Sequence, residues 1–327
     1  MDLNIKNLLL QSKRPACYRK VWGYKEKLPL LTLLHISDIH GDGVAMSRLC
    51  DFMEEYGEHI EDCICTGDIV ECRWKNDFEF WGRDKRAHAF LSCIGNHDIL
   101  ADEKGFDWSF RIPQEECYNR FFAPFISNWN CIYQESKTFY YKDYQENAVR
   151  LIVLNSTLEN EEQNEQLDWL EGVLDSAIEN NLHVVIAMHY PVYMKLIPCN
   201  FTSLDAGEHI GDASMCVYQE KVKAFMEKGG DFVVWLTGHI HSDFVGYSEQ
   251  YPEQLCIAID ALCCYQSAAY TDADRTIGMP SQDLYNLVTI DTYDKLIKIV
   301  RIGSNLDRYL RKRDTLCINY RTFDIIR

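Results

Sequence analysis

At 327 residues, with apolar side chains making up 47% of the chain, the sequence is long enough to bury a sizeable core in one large α/β unit. Its 33 basic against 50 acidic residues give a formal charge of −17, which repels polyanions and argues against a nucleic-acid partner except where bound cations reverse the sign locally. No run of about 18 apolar residues occurs, so no segment is expected to span a membrane as a helix, and Leu8-Leu9-Leu10 is too short for the apolar region of a signal peptide.

Residues 1–30 carry little patterning and read as a lead-in. Apolar, β-branched runs at 30–36, 63–65, 90–94, 151–154, 184–188 and 232–236 predict buried strands. Between them, Ala45, Leu49, Phe52, Met53 and Tyr56 recur at helical spacing, as do Leu167, Leu170, Leu174, Ala177 and Ile178. Tyr218, Val222, Phe225 and Met226 mark a third helix, which Gly229-Gly230 should end. This alternation predicts an α/β layered fold, with residues 31–245 as the core unit. In the tail, 246–327, strands are expected at 256–259, 286–293 and 296–302, completing a second sheet, with Tyr293-Asp294-Lys295 as a hairpin turn. The basic run at 308–313 reads as a solvated helix face.

Fourteen cysteines do not form a disulfide framework. Cys63, Cys65, Cys93, Cys131 and Cys256 sit in strand-like runs where a thiol packs as a small hydrophobe, and no pair of CxxC motifs has zinc-site spacing. A reducing, cytoplasmic setting is expected.

Five fragments then stand out, each directly after a predicted strand: Ser37-Asp38-Ile39-His40, Gly67-Asp68, Gly95-Asn96-His97-Asp98, Met188-His189 and Gly238-His239-Ile240-His241. A lone Asp-x-His or Gly-Asp is ordinarily a turn or a cap. Five such pieces in order, three with a glycine just before a donor, describe loops gathered at the carboxyl ends of strands, where open α/β sheets form their sites. Carboxylate, amide and imidazole donors together suit divalent manganese, iron, cobalt or zinc.

These fragments, D-x-H, G-D, G-N-H-[DE], H and G-H-x-H, resemble the calcineurin-like metallophosphoesterase superfamily, with all five parts intact. Glu165-Gln166-Leu167-Asp168-Trp169-Leu170 is similar to the E-Q-x-x-W-L helix of its cyclic-nucleotide phosphodiesterase and purple-acid-phosphatase-like branches. The resemblance implies a layered α-β-β-α sandwich, two mixed sheets flanked by helices, and two divalent metal ions (Mn, Fe, Zn or Co). It implies that Asp38, His40 and His241 hold one metal, that Asn96, His189 and His239 hold the other, and that Asp68 bridges them. A hydroxide between the metals would attack phosphorus. His97 would bind the phosphoryl oxygen or protonate the leaving group, and Asp98 would either orient His97 or cap a helix.

Two divalent cations against Asp38 and Asp68 leave a formal excess of two positive charges, which welcomes a phosphate on an acidic protein. Neutral Asn96 preserves that excess. Glu71 stands where purple acid phosphatases carry the iron-binding tyrosine, so a purple Fe(III) centre is not expected. Nor is protein-phosphatase activity, because the arginine pattern of that branch is missing. The expected activity is a phosphomonoesterase or phosphodiesterase acting on a small soluble phosphate ester. A non-catalytic metal-binding scaffold would require ligand loss, and none is lost; a nuclease is at odds with the charge.

For specificity, the aromatic-rich stretch that includes Trp108, Phe110, Tyr118, Phe121, Phe122, Phe125 and Trp129 reads first as core and second as a lid. The polar segments 200–214, with His209, and 263–283, with Arg275 available to a phosphate, are lid candidates. His35, His59, His88 and His183 take ordinary core or surface roles.

Overall fold

The structure, a computed structural model, describes residues 2–12, 30–71, 84–100, 111–199, 209–248, 250–251, 253–263, 275, 282–303 and 315–326. Its architecture follows from how the apolar runs divide their side chains. In the run ending at His189, Val185 and Ala187 enter one core while Val184, Ile186 and Met188 enter another, the period of two that an extended chain imposes. A strand with two apolar faces needs cover on both, and here a second sheet lies on one side and helices on the other.

In the smaller sheet, β1 (Leu30–Ile36), β2 (Asp62–Cys65) and β3 (Leu91–Ser92) run parallel. Antiparallel strands β13 (Leu284–Asp291), β14 (Leu296–Gly303) and β15 (Thr315–Asn319) extend it, in the order β15-β14-β13-β1-β2-β3. The larger sheet contains β4 (Ile132–Tyr133), β5 (Tyr140–Tyr144), β6 (Val149–Val153), β7 (His183–Ala187), β8 (Met194–Leu196), β9 (His209–Ile210), β10 (Asp231–Thr237), β11 (Phe244–Tyr247) and β12 (Leu255–Ala258). Their order is β4-β5-β6-β7-β10-β12-β11-β8-β9, with β6, β7, β10 and β12 parallel at the centre.

Helices α1 (Asp2–Ser12) and α2 (Gly43–Tyr56) pack on the smaller sheet, α2 through Phe52 against Tyr285 of β13. Helices α3 (Asn160–Glu179) and α4 (Cys216–Glu227) cover the larger one, burying Leu170, Leu174 and Ala177 with Tyr218, Val222 and Phe225 against Val184 and Ile186. The apolar spacing predicted α2, α3 and α4, and Gly229 leaves α4 at φ +95°, a left-handed exit that glycine makes without strain. The fold is therefore an α-β-β-α sandwich of two mixed sheets flanked by helices.

Two regions differ from expectation. Residues 1–30 include α1, whose Leu9 is buried in the core while Leu10 is exposed; three leucines in a row hide a periodicity that docking reveals. The tail is divided between the sheets: β12 inserts beside β10, whereas β13, β14 and β15 join β1. All eight residues of β13 are buried, so it needs pairing on both edges, and the position between β1 and β14 supplies it. Asp291 Oδ1 accepts the N–H groups of Tyr293 and Asp294 and sets the expected hairpin turn.

Phe121, Phe122, Phe125 and Trp129 are core, and the described cysteines are free thiols. Trp108, Phe110, the run 308–313, all of 200–208 and most of 263–283 lie outside the described residues. Among the described residues no helix is long and apolar enough to cross a membrane.

Candidate metal centre

Parallel strands end on the same side, so β1, β2, β3, β7 and β10 deliver the loops with Asp38, Asp68, Asn96, His189 and His239 to one edge of the sandwich. Donor atoms of Asp38, His40, Asp68 and His241 converge there, as do those of Asp68, His189 and His239, each group within 4.8 Å. Asp68 belongs to both. Asn96 joins through its Oδ1, 2.9 Å from His189 Nε2.

The backbone adopts costly geometry to achieve this. Asp38, His40, Asp68, His239 and His241 have φ values of 53°, 48°, 51°, 72° and 51°, in the left-handed region that side chains other than glycine rarely occupy. Strain of about 1–3 kcal/mol per residue persists only where the surroundings over-determine it, and it gathers at functional sites. The neighbouring glycines make room. A β-carbon on Gly67 would stand 2.7 Å from His189 Nδ1, and one on Gly238 only 1.7 Å from Ser37 Oγ and 2.6 Å from Asp38 Oδ2.

Each aspartate is divided in function. Asp38 Oδ2 accepts the His239 N–H at 3.0 Å and Asp68 Oδ1 accepts the His97 N–H at 2.8 Å. Their other oxygens, Asp38 Oδ1 and Asp68 Oδ2, are buried without a hydrogen-bond partner. Asp38 Oδ1 lies 3.2 Å from His241 Nε2, and Asp68 Oδ2 lies 3.2 Å from His189 Nε2 and 3.8 Å from His40 Nε2. His40 and His241 face each other through their Nε2 atoms at 3.1 Å. Ligands sharing one ion at about 2.0–2.3 Å stand about 3–3.5 Å apart, so these spacings and the two orphaned oxygens fit a divalent metal in each group.

Outer partners fix the rings. His189 Nδ1 donates to the Thr66 carbonyl at 2.8 Å, which leaves Nε2 as the metal-facing atom, and His40 Nδ1 lies 2.7 Å from Glu71 Oε2 with the same effect. Burial opposes the charged forms, yet the surrounding carboxylates raise His40 to about 11 and His189 to about 9, while the imidazoles of His241 and His40 hold Asp38 well below the usual carboxylate range. Burial and the nearby charge of His189 push His239 down to about 4.

His97 stands beside the two groups with its Nε2 4.0 Å from Asp68 Oδ2 and its Nδ1 3.5 Å from Glu71 Oε1. Glu71 and Asp68, not Asp98, are thus its carboxylate neighbours. Asp98 is fully buried and caps backbone instead, accepting from Ile69 and Val70 through Oδ1 and from Gly95 through Oδ2. Burial, reinforced by the charge of Asp68, pushes it up to about 7. Glu71 was visible in sequence only as a substitute for tyrosine, three residues after Asp68. Tyr190, next to His189, was not visible at all: its ring meets His239 edge-on at 4.6 Å.

The lid candidates divide. Arg275 donates to the carbonyls of Ala261, Leu262 and Gln282, so its guanidinium ties the chain together rather than reaching for a phosphate. His209 stacks on Tyr193 at the edge strand β9. His35 is buried with Nε2 at 3.1 Å from Thr66 Oγ1, and His183 pairs with Asp231.

Residues 31–243 match the family model described as calcineurin-like phosphoesterase. No curated protein matches the chain in sequence. Among solved structures, a dimetal phosphatase from Danio rerio is 12% identical, with a TM-score of 0.52 over 89% of this chain and 99% of that one. A purple acid phosphatase from yellow lupin (Lupinus luteus) seeds is 11% identical, with a TM-score of 0.51 over 90% of this chain and 55% of that one. At such identities the likeness is one of fold, and the family match, which spans more than half the sequence and contains all five fragments, decides the assignment: the chain belongs to the calcineurin-like phosphoesterase family.

Proposed function

We propose that the protein is a two-metal phosphoester hydrolase acting on a small soluble phosphate ester. The observation that carries this reading is the membership of Asp68 in both donor groups, with one oxygen held by the His97 N–H and the other buried and aimed at the imidazoles. Asp38, His40 and His241 would hold one divalent ion, Asn96, His189 and His239 the other, with Asp68 between them. Bound there, the pair of ions would supply a nucleophilic hydroxide at neutral pH and neutralise charge on the phosphoryl oxygens.

The chain's own residues do the remaining work. Asn96 contributes an uncharged oxygen, so the site keeps its net positive charge for an anionic substrate. His97, 18% exposed at its side chain and held near Glu71, is placed to hydrogen-bond a phosphoryl oxygen and to pass a proton from Nε2 to the departing alkoxide. Buried Asp98 fixes the turn that presents Asn96 and His97 by gathering three backbone N–H groups. Tyr190 walls the His239 side.

A hydrolysis screen tests the reading, using para-nitrophenyl phosphate, its bis ester and cyclic nucleotides with manganese, zinc, cobalt or iron supplied singly. Metal-stimulated turnover that falls about 10²–10⁴-fold in His97→Ala, with metal content retained, is the expected result. No turnover with any combination would end the proposal.

A further inference from the structure

We propose that Arg301 is a positioning residue for this centre: its ion pair with Asp243 fixes the turn that carries His239 and His241, making the C-terminal strands a working part of the metal site. The inference rests on the two-metal reading above.

Asp243 follows His241 by two residues, and its side chain is 0% exposed. It meets the guanidinium of Arg301, itself 2% exposed, which comes from β14 in the opposite sheet. Arg301 Nε also donates to Asn286 Oδ1 at 2.8 Å. His35, Asn286 and Arg301 are register partners on β1, β13 and β14, so a polar row crosses the smaller sheet just before the loop with Asp38. On the other side, Asp243 Oδ1 accepts the Asp260 N–H at 3.3 Å. The chain leaving β12 then binds the first ligand loop, Leu262 N–H to the Ser37 carbonyl at 2.8 Å and Cys263 N–H to the Asp38 carbonyl at 3.2 Å.

Asp243 therefore gathers the His239/His241 turn, the exit of β12 and the smaller sheet at one buried point. That turn needs such a clamp, because His239 and His241 both sit at positive φ and relax unless held. A dry guanidinium–carboxylate pair holds firmly, since separating it leaves a bare buried charge. The family match ends at residue 243, so it contains the aspartate but not the arginine that answers it.

The test uses the full chain as wild type, Arg301→Met, Asp243→Asn, the Asp243→Asn/Arg301→Met double variant and Arg301→Lys. Each is loaded with manganese or zinc, exchanged into buffer and assayed for bound metal per chain by mass spectrometry, alongside thermal melts of the metal-free proteins. Arg301→Met should bind one of two metals about 10–100-fold more weakly. The double variant has no lone buried charge, and its asparagine still accepts from Asp260, so it should melt near wild type and still bind that metal weakly. Arg301→Lys should recover both metals. A double variant that folds and holds two metals like wild type overturns the proposal; if the double variant does not fold, Arg301→Met alone decides by the same readout, because a lone carboxyl can neutralise itself by taking a proton where a lone guanidinium cannot. Wild type that binds no metal overturns the two-metal reading, and this inference with it, which is a different result from two metals in every variant.

Discussion

Histidine and carboxylate chemistry gathers at both ends of strands β7 and β10, and the two ends use it in opposite ways. At their start, register partners His183 and Asp231 pair at 2.5 Å, and Asp231 also takes Lys295 at 2.6 Å and Arg321, so every oxygen is answered by a side chain of the protein. At their far end, Asp38 and Asp68 each keep one buried oxygen without a hydrogen-bond partner, amid imidazoles of which His40, His239 and His241 sit on backbone at positive φ. A satisfied cluster braces the fold. A cluster left half-satisfied costs free energy that a bound cation would offset, which is how the same residue types come to build a binding site.

The largest expected effect comes from breaking the unsatisfied end. Asp68→Asn keeps the acceptor for the His97 N–H but removes the charge shared by both donor groups. Hydrolysis should fall to background and bound metal to one equivalent or fewer, because both donor groups lose the same anionic oxygen. Paired metal analysis and hydrolysis assays check this, and a variant that still holds two metals would contradict the comparison.

Much of this was legible in the sequence, for identifiable reasons. The five fragments follow apolar strands and end in donors, and the strands' periodicity divides cleanly between two cores, as Val184 to Met188 shows. What the sequence hid is non-local. Asp98 could orient His97 or cap a helix; its bond from the Gly95 N–H, three residues back, is that cap, and only the fold brings Ile69 and Val70 to the same carboxylate. Arg301 lies far along the chain from Asp243, and no motif around it marks it as the partner of a residue beside the Gly238–His241 fragment. The partition of the tail depends on which strand edge was open, a property of the assembled sheet and not of any segment.

A smaller effect is expected at Glu71, which stands between His40, the proposed ligand, and His97, the proposed proton donor. Glu71→Gln should preserve the fold and both metals, weaken metal affinity about 10–100-fold, and shift the alkaline limb of the kcat profile. A variant with an unchanged profile would show that Glu71 serves packing alone.

The smallest effect belongs to the satisfied end. Burial works against the Asp231 carboxylate, yet hydrogen bonds from His183 and Lys295 and the charge of Arg321 hold it down to about 2, from an ordinary value of 3.8. A depressed acid stabilises the folded state fully above its unfolded value, and that contribution is lost as pH falls through the folded one. Wild-type stability should therefore decline between about pH 4 and pH 2 by an increment that Asp231→Asn lacks. Denaturant midpoints across that range measure the difference. The variant should melt slightly lower at neutral pH and still hold its full metal content, since Asp231 begins the strand whose far end carries His239 and touches none of the donors. Lost metal in Asp231→Asn would mean that the brace and the site are one cooperative unit, and that the contrast between the two ends of β10 is one of degree.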